Sequence, residues 1–231
     1  IDHTQDVIAH ALELSPTTTL IYNADDPLCA SIAARVPNTS IAFGIDGATG
    51  TESDRISDSR FCSQCNAPLE YDYVQYGQVG AYHCPSCGWG RPALLRRVTG
   101  VELGCDGYGL DLAFAPEANA PAVHIATRYN GLYMVYNVAA AFFAAHELGV
   151  DAAHLQPTLN AYVPAGGRMG RWDIAGRTVE ANLAKNPVGF DRQIQSIKTA
   201  GGRLCAFFLN DNDADGHDVS WIYDVDFERI A

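Results

Sequence analysis

TLIYNADDPLCASIAARVPNTSIAF, Thr19 to Phe43, reads as strand, turn, helix and strand in succession. The β-rich run TLIYN comes first. Asp26 and Pro27 then supply an N-cap and a proline for the first helical turn, where the missing N–H costs nothing. The helix is predicted to run to about Arg35, and SIAF is the next strand. Strands alternating with a helix at this spacing predict an α/β layer with parallel strands.

Upstream, IDHTQDVIAHALEL places Ile1, Ile8, Ala11 and Leu12 on one stripe at helical spacing, which predicts a surface helix. Downstream the pattern breaks at Gly44, where Gly, Ser, Thr and Asp take over and an insertion begins. EYDYVQYGQVGAYHC within it predicts a hairpin with Gly77 and Gly80 available for the turn. From Val98 the runs VTGVEL, GLDLAF and AVHIAT predict that the sheet resumes. Gly131 to Leu148, rich in Ala and closed by Gly149, is the clearest helix. A shorter helix from Asp151 to Asn160 leads to Pro164-Ala165-Gly166-Gly167, read as a domain junction. Beyond it, TVEANLA, DRQIQSIKTA and LCAFFLN predict strand, helix, strand. The division is therefore residues 1–163, with an insertion over 58–97, followed by a second α/β unit over 164–231.

The 231 residues are 48% hydrophobic, which supplies a core and excludes disordered and collagen-like classes. A net charge of −12 argues against nucleic acid, whose binding needs clustered Lys and Arg. Arg91, Arg96 and Arg97 beside the insertion are read as a solvated edge, and Tyr71, Tyr73, Tyr76, Tyr82 and Trp89 as cover for a small core. The longest apolar run, Val138 to Ala145, is too short to span a bilayer. Seven carboxylates between Asn210 and Glu228, with no Lys or Arg among them, predict a hydrated loop, a cation site or a docking surface. Trp221 and Tyr223 beside these charges favour an interface. The chain opens without Met or a recognisable export signal, and is read as a piece of a longer product.

Cys62-x-x-Cys65 and Cys84-x-x-Cys87, separated by eighteen residues, have the spacing of a four-cysteine zinc ribbon. Two disulfides are the competing reading, but disulfide frameworks belong to small secreted chains. Four thiolates leave no open coordination position, so the zinc is expected to be structural. Cys29, Cys105 and Cys205 lack any such spacing and are expected to be small buried apolar residues.

Three further stretches carry a family resemblance: NADDPL at Asn23 to Leu28, GLYMVYNVAAA at Gly131 to Ala141, and the tail from LAKNPVGF through NDNDADGHDVSWIYDVDFE. With the inserted cysteines, the chain resembles the Mur ligases. It is most similar to their MurT branch, the ligase subunits of lipid II isoglutaminyl synthases. The fold implied is a partial Mur ligase central domain of α/β class with the ribbon inserted, followed by a partial α/β C-terminal domain. The activity implied is ATP- and magnesium-dependent amidation of the D-glutamate α-carboxylate in the lipid II stem peptide. An acyl phosphate would be displaced by ammonia from a GatD-type glutaminase subunit, in the cytoplasm.

Carried over residue by residue, the resemblance places Asn137 near adenine, where an amide offers donor and acceptor together. It places Arg168 on nucleotide phosphates, for which a guanidinium fork is suited. Lys185 and Asn186 would face the cleft. Asp218 would complete a catalytic triad in the glutaminase by orienting the histidine that activates its cysteine; Asp215 and Asp224 are alternatives. Met134 stands where the family usually has a second asparagine, and Gly170 where it commonly has glutamate. The phosphate-binding loop G-x-x-x-x-G-K-S/T is absent from this sequence, and in the family it lies upstream of the segment matching Ile1. The reading is therefore an internal fragment lacking that loop and the extreme C-terminus, inactive alone. The rival readings are a stand-alone Mur-type amino-acid ligase and a non-catalytic zinc-ribbon module that binds other proteins.

Overall fold

The computed structural model describes residues 2–50, 60–103, 110–115, 121–128, 131–163, 170–184, 186–187, 189–190, 193–194, 197, 204–212, 218–225 and 227–230. In chain order the elements are α1 (Asp2–Glu13), β1 (Leu20–Asn23), α2 (Pro27–Ala33), β2 (Ser40–Ile45), β3 (Glu70–Tyr76), β4 (Val79–His83), β5 (Arg96–Leu103), β6 (Leu110–Ala115) and β7 (Val123–Ala126). They continue with α3 (Leu132–Glu147), α4 (Ala152–Asn160), β8 (Gly170–Ile174) and β9 (Arg177–Ala181). Two short 3-10 turns, Ser220–Asp224 and Phe227–Ile230, follow. Among the described residues no helix is long and apolar enough to cross a membrane.

Five strands make one sheet in the order β1-β2-β5-β6-β7. The first three are parallel, with Leu20 to Asn23 in register with Ser40 to Phe43, and Phe43 to Ile45 with Arg96 to Val98. The expected parallel pairing stops there: β5, β6 and β7 pair antiparallel. Their connections are too short to hold a crossover helix, so successive strands turn back on each other.

The core lies between this sheet and α3. Phe43, Val98, Leu112, Phe114 and Ile125 meet Val135, Val138, Ala139, Phe142 and Phe143 of the helix, all buried. Phe114 lies 5.1 Å from Phe142 and 5.6 Å from Phe143, centroid to centroid, with the rings tilted as aromatic pairs prefer. Gly149, at φ 87°, ends the helix as expected, its N–H returning to His146 O. α4 is capped by the Asp151 side chain and lies along β7, where Asn160 accepts the Ala126 N–H and Gln156 donates to His124 O.

Several expectations need correction. The buried positions of α1 are Ala9 and Leu12, while Ile8 is exposed, so the stripe is rotated from the one read off the sequence. Asp26 caps α2 as expected, accepting from Leu28 N–H, but the helix stops at Ala33. Only Gly77, at φ 52°, serves the β3–β4 turn. Gly80 sits inside β4, where a Cβ would lie 2.2 Å from the Tyr73 carbonyl oxygen, so close backbone approach explains this glycine.

Of the C-terminal strand, helix, strand pattern, the last strand does not form. TVEANLA contributes to β9, which pairs antiparallel with β8 through a turn with positive φ at Ala175 and Gly176. LCAFFLN, 204–210, is not a strand; Leu204 and Phe208 are almost fully exposed and so gain nothing from sheet burial. Of DRQIQSIKTA, residues 193, 194 and 197 are described and are helical. The junction at 164–167 lies outside the described residues.

Candidate metal centre

The four cysteines are carried by two turns of the same build. In the first, Cys62 N–H donates to Ala67 O at 2.8 Å and Asn66 N–H returns to Cys62 O at 2.8 Å. In the second, Cys84 N–H donates to Trp89 O at 2.7 Å and Gly88 N–H returns to Cys84 O at 3.0 Å. Each turn passes through the left-handed region just after its second cysteine, at Asn66 (φ 59°) and Gly88 (φ 76°). Asn and Gly are the residues that enter that region most readily.

Sulfur meets sulfur across the two turns, with Cys62 to Cys87 at 3.6 Å and Cys65 to Cys84 at 3.5 Å. All four Sγ atoms lie within 4.8 Å of one another. Thiolates at about 2.3 Å from one zinc, at tetrahedral corners, would sit about 3.8 Å apart, so the donor set fits the ion with little movement. Backbone amides point at the sulfurs: Gln64 N–H lies 3.4 Å from Cys62 Sγ, and amides of Ala67, Ser86 and Trp89 bond to Cys65, Cys84 and Cys87. Such donors offset the negative charge that four thiolates concentrate. Four soft ligands with none left open hold a fold together and leave no position for an activated water.

A buried polar network ties this insertion to the sheet. Asp25, two residues beyond the end of β1, is wholly buried. Its carboxylate accepts from Arg91 Nε at 2.6 Å, Tyr136 Oη at 2.7 Å and Ile45 N–H at 2.9 Å. Burial pushes the Asp25 carboxyl above the usual carboxylate range, against the opposing pull of Arg91, Tyr136 and the Ile45 amide. Arg91 completes its fork by donating to Ile45 O at 2.7 Å and Tyr73 Oη at 3.2 Å. Gly44 is packed so closely that a Cβ there would lie 2.2 Å from Asp25 Oδ1.

Arg91 is therefore not on a solvated edge, as the sequence suggested. Arg96 and Arg97 are paired too, with Glu147 and Asp46 at 3.2 Å or less. Tyr82, Tyr71 and Trp89 do cover the insertion, with Tyr82 buried, 6.1 Å from Tyr71 and 5.3 Å from Trp89 between ring centroids, whereas Tyr76 packs on Tyr136 of the main core. Asp25, Gly44 and Tyr136 were missed in the sequence. The available signal was the doubled acid of NADDP, of which only Asp26 has a local capping role.

Asn137 lies on α3, exposed, with Nδ2 3.4 Å from Met134 Sδ. Asn186 is exposed, and its Oδ1 accepts from Gly189 N–H at 2.7 Å, so the side chain caps a turn. Arg168, Lys185, Asp215 and Cys105 lie outside the described residues. Asp218 is exposed and holds Ser220 through its N–H at 2.9 Å and its hydroxyl at 2.6 Å. Those bonds hold its carboxyl below the usual range. Asp224 and Tyr223 are exposed, whereas Trp221 packs 6.1 Å from Phe190. Cys29 and Cys205 are half-buried rather than buried.

The MurT ligase C-terminal family matches residues 183–231. The MurT subunit of lipid II isoglutaminyl synthase (glutamine-hydrolyzing) from Staphylococcus aureus strain COL is 30% identical over 220 residues, 92% of this chain and 46% of that protein. The Streptococcus pneumoniae R6 subunit of the same name is 33% identical over 232 residues, 99% of this chain and 50% of its own length. The chain thus spans about half the length of these relatives. Among solved structures, a pseudomurein peptide ligase type C from Methanothermus fervidus matches 78% of this chain and 34% of its own at 26% identity and a TM-score of 0.63. MurF from Acinetobacter baumannii, at 16% identity and a TM-score of 0.51 over 80% of this chain and 30% of its own, shares the fold.

Proposed function

We propose, from the premise that the chain is homologous to the MurT subunits over most of its length, that it belongs to the ligase half of a two-protein amidotransferase. The observation that carries this reading is the 33% identity to a lipid II isoglutaminyl synthase subunit running through 99% of the chain. The reaction is amidation of the D-glutamate α-carboxylate in the lipid II stem peptide. A carboxylate resists nucleophiles because it is already anionic; phosphorylation by ATP with magnesium gives it a leaving group, and ammonia displaces phosphate to leave the amide. The ammonia comes from a GatD-type glutaminase, and the complex works in the cytoplasm.

Within this scheme the four thiolates hold a structural zinc in a ribbon. Asn137 contacts the adenine edge, Arg168 the phosphates, and Lys185 and Asn186 face the cleft. Asp218 orients the imidazole that deprotonates the glutaminase cysteine. Its exposure on the described surface leaves it accessible to a partner. The test is amidation by the complete gene product with its glutaminase, using glutamine or ammonium as nitrogen donor. Asp218→Asn should abolish the glutamine reaction and spare much of the ammonium reaction; equal loss of both removes Asp218 from the triad.

A second reading, an amino-acid-adding ligase without a glutaminase, is supported by the likeness to the pseudomurein peptide ligase. Transfer of an amino acid in place of ammonia in the same assay would favour it.

A further inference from the structure

The insertion is fastened where the parallel strands β1 and β2 end. Gly80 N–H of β4 donates to Asp25 O at 2.8 Å. Gln75 of β3 donates to Gly47 O at 2.6 Å and accepts from Thr49 N–H and Oγ1, and Tyr73 Oη accepts the Gly47 N–H at 3.2 Å. In open α/β sheets, ligands bind in the crevice outside the carboxyl ends of the strands. The insertion lies against the carboxyl ends of β1 and β2, and Tyr136 of α3, packed on the sheet, reaches Asp25 at the same place.

Asp25 joins the two. On one side it holds Arg91, whose N–H is fixed to Tyr82 O at 2.9 Å and which follows directly on the turn carrying Cys84 and Cys87. On the other it holds the Tyr136 hydroxyl. Tyr136 also meets Tyr76 of β3 edge-on at 5.7 Å, and it immediately precedes Asn137 in the second turn of α3. Freeing the Cys84 turn loosens Arg91, and a displaced Arg91 leaves a wholly buried carboxylate without its cation. That arrangement is costly unless Asp25 and the helix shift with it. The contacts thus form one contiguous chain from the cysteine turn to α3, the kind of network through which coupling between sites can travel.

We infer that metal binding at the four thiolates and nucleotide binding beside α3 are energetically coupled through Arg91, Asp25 and Tyr136, with Asp25 the positioning residue at the centre. The inference rests on the nucleotide reading proposed above and adds to it a role for the zinc beyond holding the insertion folded. Coupling is reciprocal in equilibrium affinity, so nucleotide must tighten zinc by the factor by which zinc tightens nucleotide.

The test uses the full-length gene product and the magnesium complex of a β,γ-imido ATP analogue, with zinc affinity, from equilibrium competition with a chromophoric chelator, as readout. In the wild type the analogue should tighten zinc about fivefold or more, and zinc removal should weaken analogue binding by the same factor. Tyr136→Phe, which keeps the ring and removes the hydroxyl, should retain zinc and lose the tightening by the analogue. A residue of purely structural importance would change zinc content or folding without separating these two readouts. If the analogue binds but leaves zinc affinity unchanged, or tightens zinc equally in Tyr136→Phe, the coupling is overturned while the nucleotide reading stands. If the analogue does not bind the zinc-loaded protein at all, the nucleotide reading falls and the coupling with it. The wild-type reciprocity decides the matter even where the variant fails to fold.

Discussion

Asp25 and Arg91 lie 66 residues apart in the chain, yet the guanidinium Nε donates to the carboxylate at 2.6 Å, with Asp25 wholly enclosed. The pair spans the boundary between the sheet and the insertion, and so fixes an element whose own core is small.

Arg91→Met should destabilise the protein by about 3–5 kcal/mol at neutral pH, because it strands a buried carboxylate. Asp25 has its folded pKa raised, first by burial. A group raised in this way favours the fold below its unfolded pKa, and that contribution is lost as pH rises through the folded value. The loss in Arg91→Met should therefore shrink as pH falls from neutral through the raised value, where Asp25 takes up a proton. Urea melts of wild type and variant across that range check the sign.

Gly44→Ala should cost roughly 1–3 kcal/mol, as overpacking does in a filled interior. The added methyl would meet Asp25 Oδ1 at 2.2 Å, and Asp25 is held by three donors and cannot swing aside. A lowered urea midpoint with an unchanged slope is the expected result.

Protein purified without chelator should contain a zinc ion held by Cys62, Cys65, Cys84 and Cys87. Its removal should raise amide exchange throughout residues 60–95 more than in the α3 core, since binding supplies on the order of 10–16 kcal/mol in comparable small domains. Metal analysis and hydrogen exchange before and after chelation are the measurements. Cys84→Ser should reproduce the chelated pattern.

The carboxyl of Asp218 should titrate below the usual aspartate range, and Ser220→Ala should bring it back toward that range by removing the hydroxyl donor. Carbon-detected NMR of the carboxyl resonance against pH measures both. Because its folded pKa is depressed, whatever stability it contributes is present above the unfolded pKa and lost as pH falls through the folded one.

Cys29 should resist alkylation in the native protein near pH 8, because burial, and secondarily Asp26, push its thiol up to about 12. Mass-spectrometric mapping after a short iodoacetamide pulse should find it labelled only after unfolding.

Local rules made much of this molecule legible. Asp26-Pro27 announces α2, Gly149 closes α3, and the Cys-x-x-Cys spacing locates the metal centre, because in each case the chemistry is satisfied within a few residues. What the sequence hid depends on partners distant in the chain. Arg91 looked solvated because its acceptor lies beyond the whole hairpin, and Gly80 looked like a turn residue because the carbonyl it admits belongs to the opposite strand. Similarly, LCAFFLN has the composition of a strand, but no described strand lies alongside to pair with it.

The connection from β2 to β5 joins neighbours that run the same way, so the chain must come back from Ile45 to the level of Phe43 and re-enter the sheet in the same direction before β5 can begin. A tight reverse turn cannot make that journey; a dozen or more residues are needed in any parallel crossover. Excising the cysteine module for a minimal variant thus demands a substitute bridge of comparable reach, and a short glycine splice would pull β5 out of alignment. The module occupies a span that an ordinary α/β protein gives to a helix, so it can be replaced by another bridge but not simply removed.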